Sequence, residues 1–287
     1  MKLSNALLEN GLLPDSVIRI GIRGLLKDKL EEERALEKSE GPGRKRRLVE
    51  FLKSSPIAVN TKEANEQHYE LPTEFFQMVM GKHMKYSCGF WREGVTDFDT
   101  SEADMLELTT ERAELTDGQA VLELGCGWGS LTLFMAAKYP HSTIVGVSNS
   151  ATQREHILAE AKARNLSNIR IITADMNDFT IAEKFDRVVS VEMFEHMRNY
   201  DKLLTKISGF LNENGKLFVH IFTHREFAYL YKETDESDWI AKYFFTGGIM
   251  PSDDLLLHFQ DKFKIEEHWH VNGRHYQKTS EEWLKNM

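Results

Sequence analysis

The strand-forming run DRVVSV, residues 186–191, leads directly into three ionisable residues, Glu192, Glu195 and His196. Carboxylates and an imidazole so grouped can accept, hold or relay a proton. If EMFEHM turns helical, positions i, i+3 and i+4 fall on one face, and all three groups point into one cleft. A helix cap needs one carboxylate here, not a second with a histidine, so the grouping reads as a reaction centre. In KLFVHIFTH, residues 216–224, alternation sets His220, Phe222 and His224 on one face of a neighbouring strand, with His220 close to Glu195. The pairs His220/His224 and His268/His270 raise metal ligation. No cysteine or carboxylate completes a recognisable zinc spacing, so no metal is expected.

A second constellation is VLELGCGWGS, residues 121–130. Gly125, Gly127 and Gly129 let the backbone turn sharply and approach a ligand at a helix start. The spacing is GxGxG; Ser130 stands where a dinucleotide fingerprint has its third glycine. Glu123 sits beside the loop, where a carboxylate would repel a pyrophosphate and attract a cation. S-adenosylmethionine, with an ammonium and a sulfonium, fits that charge.

The elements that must position these groups follow from periodicity. AVLELG, STIVGVS, IRIITA, DRVVSV and KLFVHIF read as strands. SLTLFMAAKY, ATQREHILAEAKARN and YDKLLTKISGFL read as helices between them. Such alternation implies an α/β fold, a Rossmann-like parallel sheet with helices on both faces, and ligands in such folds sit beyond the carboxyl ends of the strands. Residues 1–40 carry helical periodicity. GPGRKRR, residues 41–47, reads as a linker whose basic cluster Arg44–Arg47 is a solvated loop or, on a sharper reading, a contact with anionic lipid head groups. The expected division is a helical N-terminal extension over 1–60, a helical cap and cofactor-covering segment over 61–114, and the Rossmann-like domain over 115–287.

The chain of 287 residues is 41% hydrophobic with a net charge of −9, a globular composition unsuited to nucleic acid. Two cysteines make no disulfide scaffold. No secretory segment or bilayer-length apolar run is visible. These features point to a cytoplasmic protein without a transmembrane segment, at most touching a membrane peripherally.

VLELGCGWG resembles the first motif of class I S-adenosylmethionine-dependent methyltransferases. With KYSCGFW (85–91), VGVSNSATQ (145–153) and VEMFEHM (191–197), the chain resembles the cyclopropane-fatty-acid synthase superfamily over nearly its whole length. ENGLLPDSVIR and FAYLY…DESDW look more like its coclaurine-type N-methyltransferase branch than its lipid branch. The resemblance implies a cofactor cleft built from Glu123, Gly125, Cys126, Gly127 and Gly129. Ser148, Asn149 and Gln153 would hold the ribose, Asp175 and Met176 the adenine, and Tyr86 and Ser87 the methionine end. It also implies the two chemistries of the branches. The lipid synthases bind a bicarbonate base, through positions resembling Cys88, Glu195, His220, the Phe222 backbone and Tyr276. The N-methyltransferases rely on positions resembling Glu192, Glu195 and His196. An acyl chain gains nothing from a second carboxylate, whereas a protonated amine does, so a small-molecule amine is the expected acceptor. Glu195 is expected to be the most demanding position, with His196 orienting or shuttling. In the family the chain runs on past EEWLKNM through further helices and a strand, so the C-terminus reads as shortened, which keeps a catalytically silent S-adenosylmethionine-binding protein as the alternative to an enzyme.

Overall fold

The strand-forming runs assemble into one five-stranded parallel sheet in a computed structural model that describes residues 10–60, 72–233 and 238–287. The strands are β1 (Ala120–Leu124), β2 (Thr143–Ser148), β3 (Ile169–Thr173), β4 (Phe185–Val191) and β5 (Leu211–His220), in the spatial order β3-β2-β1-β4-β5. β1 lies at the centre, with Leu124 opposite Val147 on one side and Ser190 on the other. The order reverses beside β1, so the carboxyl ends of β1, β2 and β4 open a crevice there. The glycine loop and Glu192 both emerge at that edge.

Both faces are covered, which is why the central strands are apolar on both sides. Leu122, Leu124 and Val188 pack under α7 (Tyr200–Ser208) and α2 (Arg44–Ser54), against Tyr200, Leu203, Ile207 and Leu52. Val121, Ile144 and Val189 face α4 (Phe98–Arg112) and α5 (Ser130–Lys138) through Leu106, Leu131 and Met135. Ile157 and Ala161 of α6 (Ala151–Ala163) pack on Ile171.

The N-terminal portion is α1 (Asp15–Glu40) followed directly by α2. Arg44–Arg47 therefore form the first turn of a helix, not a loop. The local cause is charge pairing: Arg44 reaches the buried Glu33 at 2.6 Å, Lys45 reaches Asp254 at 2.7 Å and Arg47 reaches Glu40 at 2.7 Å. Past α2 the chain docks onto the turn after β4. The Ile57 carbonyl accepts the Arg198 N–H at 2.6 Å, and Asn199 donates to the carbonyls of Lys53 and Ser55 at 2.7 Å each.

β5 differs from its sequence reading. It starts at Leu211, a register irregularity interrupts its pairing with β4 between Phe185 and Arg187, and it ends at His220. After it come a ribbon of β6 (Tyr229–Leu230) and β7 (Ile249–Met250), the short helix α8 (Trp239–Tyr243) and α9 (Gly273–Asn286). α3 (Thr73–Val79) contacts α9. Among the described residues no helix is long and apolar enough to cross a membrane.

Candidate active site

The glycine loop takes the shape its sequence demands. The N–H groups of Gly125 and Cys126 both donate to the Val147 carbonyl at 2.9 Å, curling the chain over the end of β2. Gly125 has φ +81°, and a Cβ there would stand 2.7 Å from the Met193 side chain, so glycine lets the turn after β4 close on the loop. At Gly127 (φ +52°) a Cβ would meet nothing of the protein; it would enter the cleft that Gly127 lines.

That cleft holds about 850 Å³ of free space, its solvent-open mouth included, and is lined among others by Gly125, Gly127, Asn149, Met176, Glu192 and His196. Ser148, Gln153 and Asp175 line it too. The Ser148 hydroxyl donates to Gln153 Oε1 at 2.6 Å, and Gln153 Nε2 is buried with no partner. A buried orphan amide costs free energy unless a ligand accepts from it, as a ribose hydroxyl would. Asp175 Oδ1 accepts the Asn177 N–H at 2.7 Å, which fixes its carboxylate at the cleft wall. Cys126 turns its thiol into the core beneath Gly146, and its backbone N–H and carbonyl are taken by Val147 and Gly129, so its part is to shape the loop.

A second hollow shares Gly125 with the first and is lined by Lys85, Tyr86, Ser87, Glu123, Trp128 and Ser130 among others. Glu123 is buried at 3% exposure and accepts a hydrogen bond from the Thr132 hydroxyl. Burial pushes its carboxyl up to about 7, against the pull of Thr132 and Lys85. Lys85 is as deeply buried, donates to the Ser87 hydroxyl, and is held below the usual ammonium range by burial. Ser130 Oγ and Trp128 Nε1 are buried without partners. An acid, a base and orphaned polar atoms around one hollow fit the ammonium and carboxylate of a bound amino acid. The donor sets of the two hollows match S-adenosylmethionine, whose adenosine would face Ser148, Gln153 and Asp175 and whose methionine would face Glu123, Tyr86 and Ser87.

The cluster at the end of β4 is assembled differently from its sequence reading. Only Phe194–His196 form a 3-10 turn, and Glu192 sits at φ +51°, a strained region for a residue with a side chain. The three groups therefore do not share a helical face. The Glu192 N–H donates to the His220 carbonyl at 2.7 Å, and its carboxylate accepts the Cys88 N–H at 2.9 Å and the Tyr276 hydroxyl at 2.8 Å. Burial raises its carboxyl, while Lys85, Cys88 and Tyr276 hold it back. Glu195 is fully buried and does not line the cleft; one oxygen accepts the Phe222 N–H at 2.9 Å and the other has no partner. Burial, and then the Glu192 charge, raise it well above the carboxylate range. His196 lines the cleft with its ring stacked on Phe245 at 4.8 Å.

Cys88, Tyr276 and His220 thus meet Glu192. Burial raises the Cys88 thiol to about 12 and lowers the His220 imidazole to about 3, so both stay neutral. His224 does not join them. The chain leaves the ladder after His220, and His224 Nδ1 instead accepts the N–H groups of Glu226 and Phe227. Sequence reasoning also missed Lys85, which reads as a surface lysine, and the rings around Phe245. Phe222 and Tyr231 approach Phe245 at 5.4 and 5.1 Å; only the aromatic-rich composition of YFF, residues 243–245, hinted at them.

Comparison with known proteins agrees with this geometry. The family model described as mycolic acid cyclopropane synthetase matches residues 58–287. An (S)-coclaurine N-methyltransferase of Thalictrum flavum subsp. glaucum is 40% identical over 98% of this chain and 78% of its own. The cyclopropane-fatty-acyl-phospholipid synthase of Escherichia coli (strain K12) is 30% identical, over 77% of this chain and 55% of its own. A solved structure of coclaurine N-methyltransferase bound to N-methylheliamine and SAH superposes with a TM-score of 0.93 at 39% identity, covering 98% of this chain and 82% of that one.

Proposed function

We propose that this chain, which belongs to the mycolic acid cyclopropane synthetase family, is an S-adenosylmethionine-dependent methyltransferase that N-methylates a small-molecule amine. The observation that carries the amine reading is the Glu192 carboxylate at the cleft wall, held by the Cys88 N–H and the Tyr276 hydroxyl. A cationic amine would find an oriented anion there. His196 lines the same cleft, its ring backed by Phe245. S-adenosylmethionine, when bound, supplies an electrophilic methyl carbon on sulfur. On this reading Glu192 would orient the ammonium and take its proton, freeing the nitrogen lone pair for the methyl carbon that the cofactor would supply. His196 lies on the same wall to relay that proton. Glu195 acts as a positioning residue that fixes the turn to Phe222. The N-terminal portion contributes to the cover through Val59, and the segment 85–87 covers the methionine end.

Bicarbonate has no separate task here. Of the groups that the resemblance assigns to it, Tyr276 gives its hydroxyl and Cys88 its N–H to Glu192, and the Phe222 N–H goes to Glu195. The test is product mass spectrometry with an amine library and with vesicles of unsaturated phospholipid. Glu192→Gln is expected to lower kcat/KM for the amine by at least ~10²-fold, within the range for a general base, while S-adenosylhomocysteine affinity holds. Bicarbonate-dependent change of the phospholipid with no methylated amine would reject the proposal.

A further inference from the structure

We propose that Asp253, His268 and His270 form a binding site for a divalent transition-metal ion, on the surface and apart from the residues that line the cofactor cleft. His270 Nε2 lies 2.9 Å and His268 Nε2 3.5 Å from the same oxygen, Asp253 Oδ1. The three ligand atoms all fall within 4.8 Å of one another. Atoms bound at ~2.0–2.2 Å around one tetrahedral zinc stand about 3.4 Å apart; the two distances to Asp253, 2.9 and 3.5 Å, bracket that spacing, and small side-chain rotations would bring the set to it. Two imidazole nitrogens and a carboxylate oxygen thus converge on one point, the donor set of a transition-metal site.

The chain around the cluster is fixed for the purpose. Trp269 turns away from its two neighbours, towards Phe218 at 6.5 Å and the Arg112 guanidinium at 5.0 Å, which leaves both imidazoles on the opposite side, their rings 4.7 Å apart. Asp253 comes from a loop held by its own N–H to the His224 carbonyl at 2.9 Å and by the buried Ser252. Spacing along the sequence hid the site, because the carboxylate lies far upstream of the histidine pair. Two imidazoles and one carboxylate suit zinc, copper, nickel or iron over magnesium or calcium, and three protein ligands leave further positions to water. Asn272, two residues after His270, caps α9, the helix that brings Tyr276 to Glu192. A bound ion would fasten the start of that helix to the Asp253 loop.

The full chain, stripped with chelator, is titrated with zinc by calorimetry and with cobalt by visible absorption. One equivalent is expected at micromolar metal, with a ligand-field band from cobalt and a higher melting temperature. His268→Ala/His270→Ala should lose that equivalent, and His270→Ala alone at least ~10-fold in affinity, in line with the sensitivity of metal sites to their partners. Retained binding of S-adenosylhomocysteine certifies the fold of each variant; if the double variant fails there, Asp253→Asn takes its place. Absence of binding by the wild type, or an unchanged zinc isotherm in the variants, overturns the proposal.

Discussion

Glu123 and Glu192 are carboxylates at the ends of neighbouring parallel strands, and their surroundings set them to different tasks. Glu123, with one hydroxyl donor and deep burial, is pushed up to about 7. Folding keeps its proton where the unfolded side chain, near 4.5, has lost it. Its contribution to the stability of the free protein is therefore lost as pH rises from about 4.5 to about 7. A ligand ammonium reverses the preference, since it binds the ionised form. The affinity for S-adenosylhomocysteine should fall as pH falls below about 7, by roughly ten-fold per unit. Calorimetry between pH 5.5 and 7.5 checks this; Glu123→Gln should bind weakly and without slope, and a flat wild-type profile would reject the ammonium role. Residue types made much of this legible. Gly125 and Gly127, with Ser148, Gln153 and Asp175 that the family resemblance assigned to the cofactor, line one cleft. Lys85 was not legible, since only the fold shows that a lysine preceding tyrosine is buried. Nor was the strained backbone of Glu192, because periodicity carries no sign of φ.

At the scale of elements, α9 links the cofactor side to the acceptor side. Thr279, fully buried, accepts from the Gly89 N–H at 3.0 Å and from Trp91 Nε1 at 3.1 Å, and donates to the His275 carbonyl. Asn286 Nδ2 donates to the Val79 carbonyl at 2.9 Å. Thr279→Val keeps the shape and strands two buried donors, each at roughly 1–3 kcal/mol. Urea unfolding should show a lower midpoint with an unchanged slope, and kcat should drop because Tyr276 loosens. Thr279→Ser should behave nearly as wild type. The strands and helices between residues 118 and 220 were legible because apolar runs and 3.6-residue periodicity dominate there. The start of α2 was not: Arg44–Arg47 look like a solvated run until Glu33, Glu40 and Asp254 are brought against them. The single 3-10 turn after β4 was missed for a similar reason, since docking of the Ile57 segment, not local propensity, shapes it.

At the scale of the whole molecule, alternating strands and helices gave the layers and the crevice, and no local pattern gave the contacts between distant segments. Asp253 with His268 and His270 is one such contact; the chain beside β5 is another. β5 bonds to β4 on one flank and ends the sheet on the other. The segment after residue 260 lies along it by side chains, through Glu266 on Lys216 at 2.8 Å and Trp269 near Phe218. A bare strand edge is a template on which a second chain can add itself, and charges, irregular pairing and a covering strap are the usual defences. β5 has all three: Lys216, the interruption near Arg187, and this strap. The strap's ion pair is exposed to solvent and so is weakened by salt. Trp269→Gly with Lys216→Thr would remove two of its holds. That variant should scatter light and precipitate on storage sooner than the wild type, with catalysis by the fresh protein little changed. Shelf life, not turnover, is what the outer flank of the last strand decides.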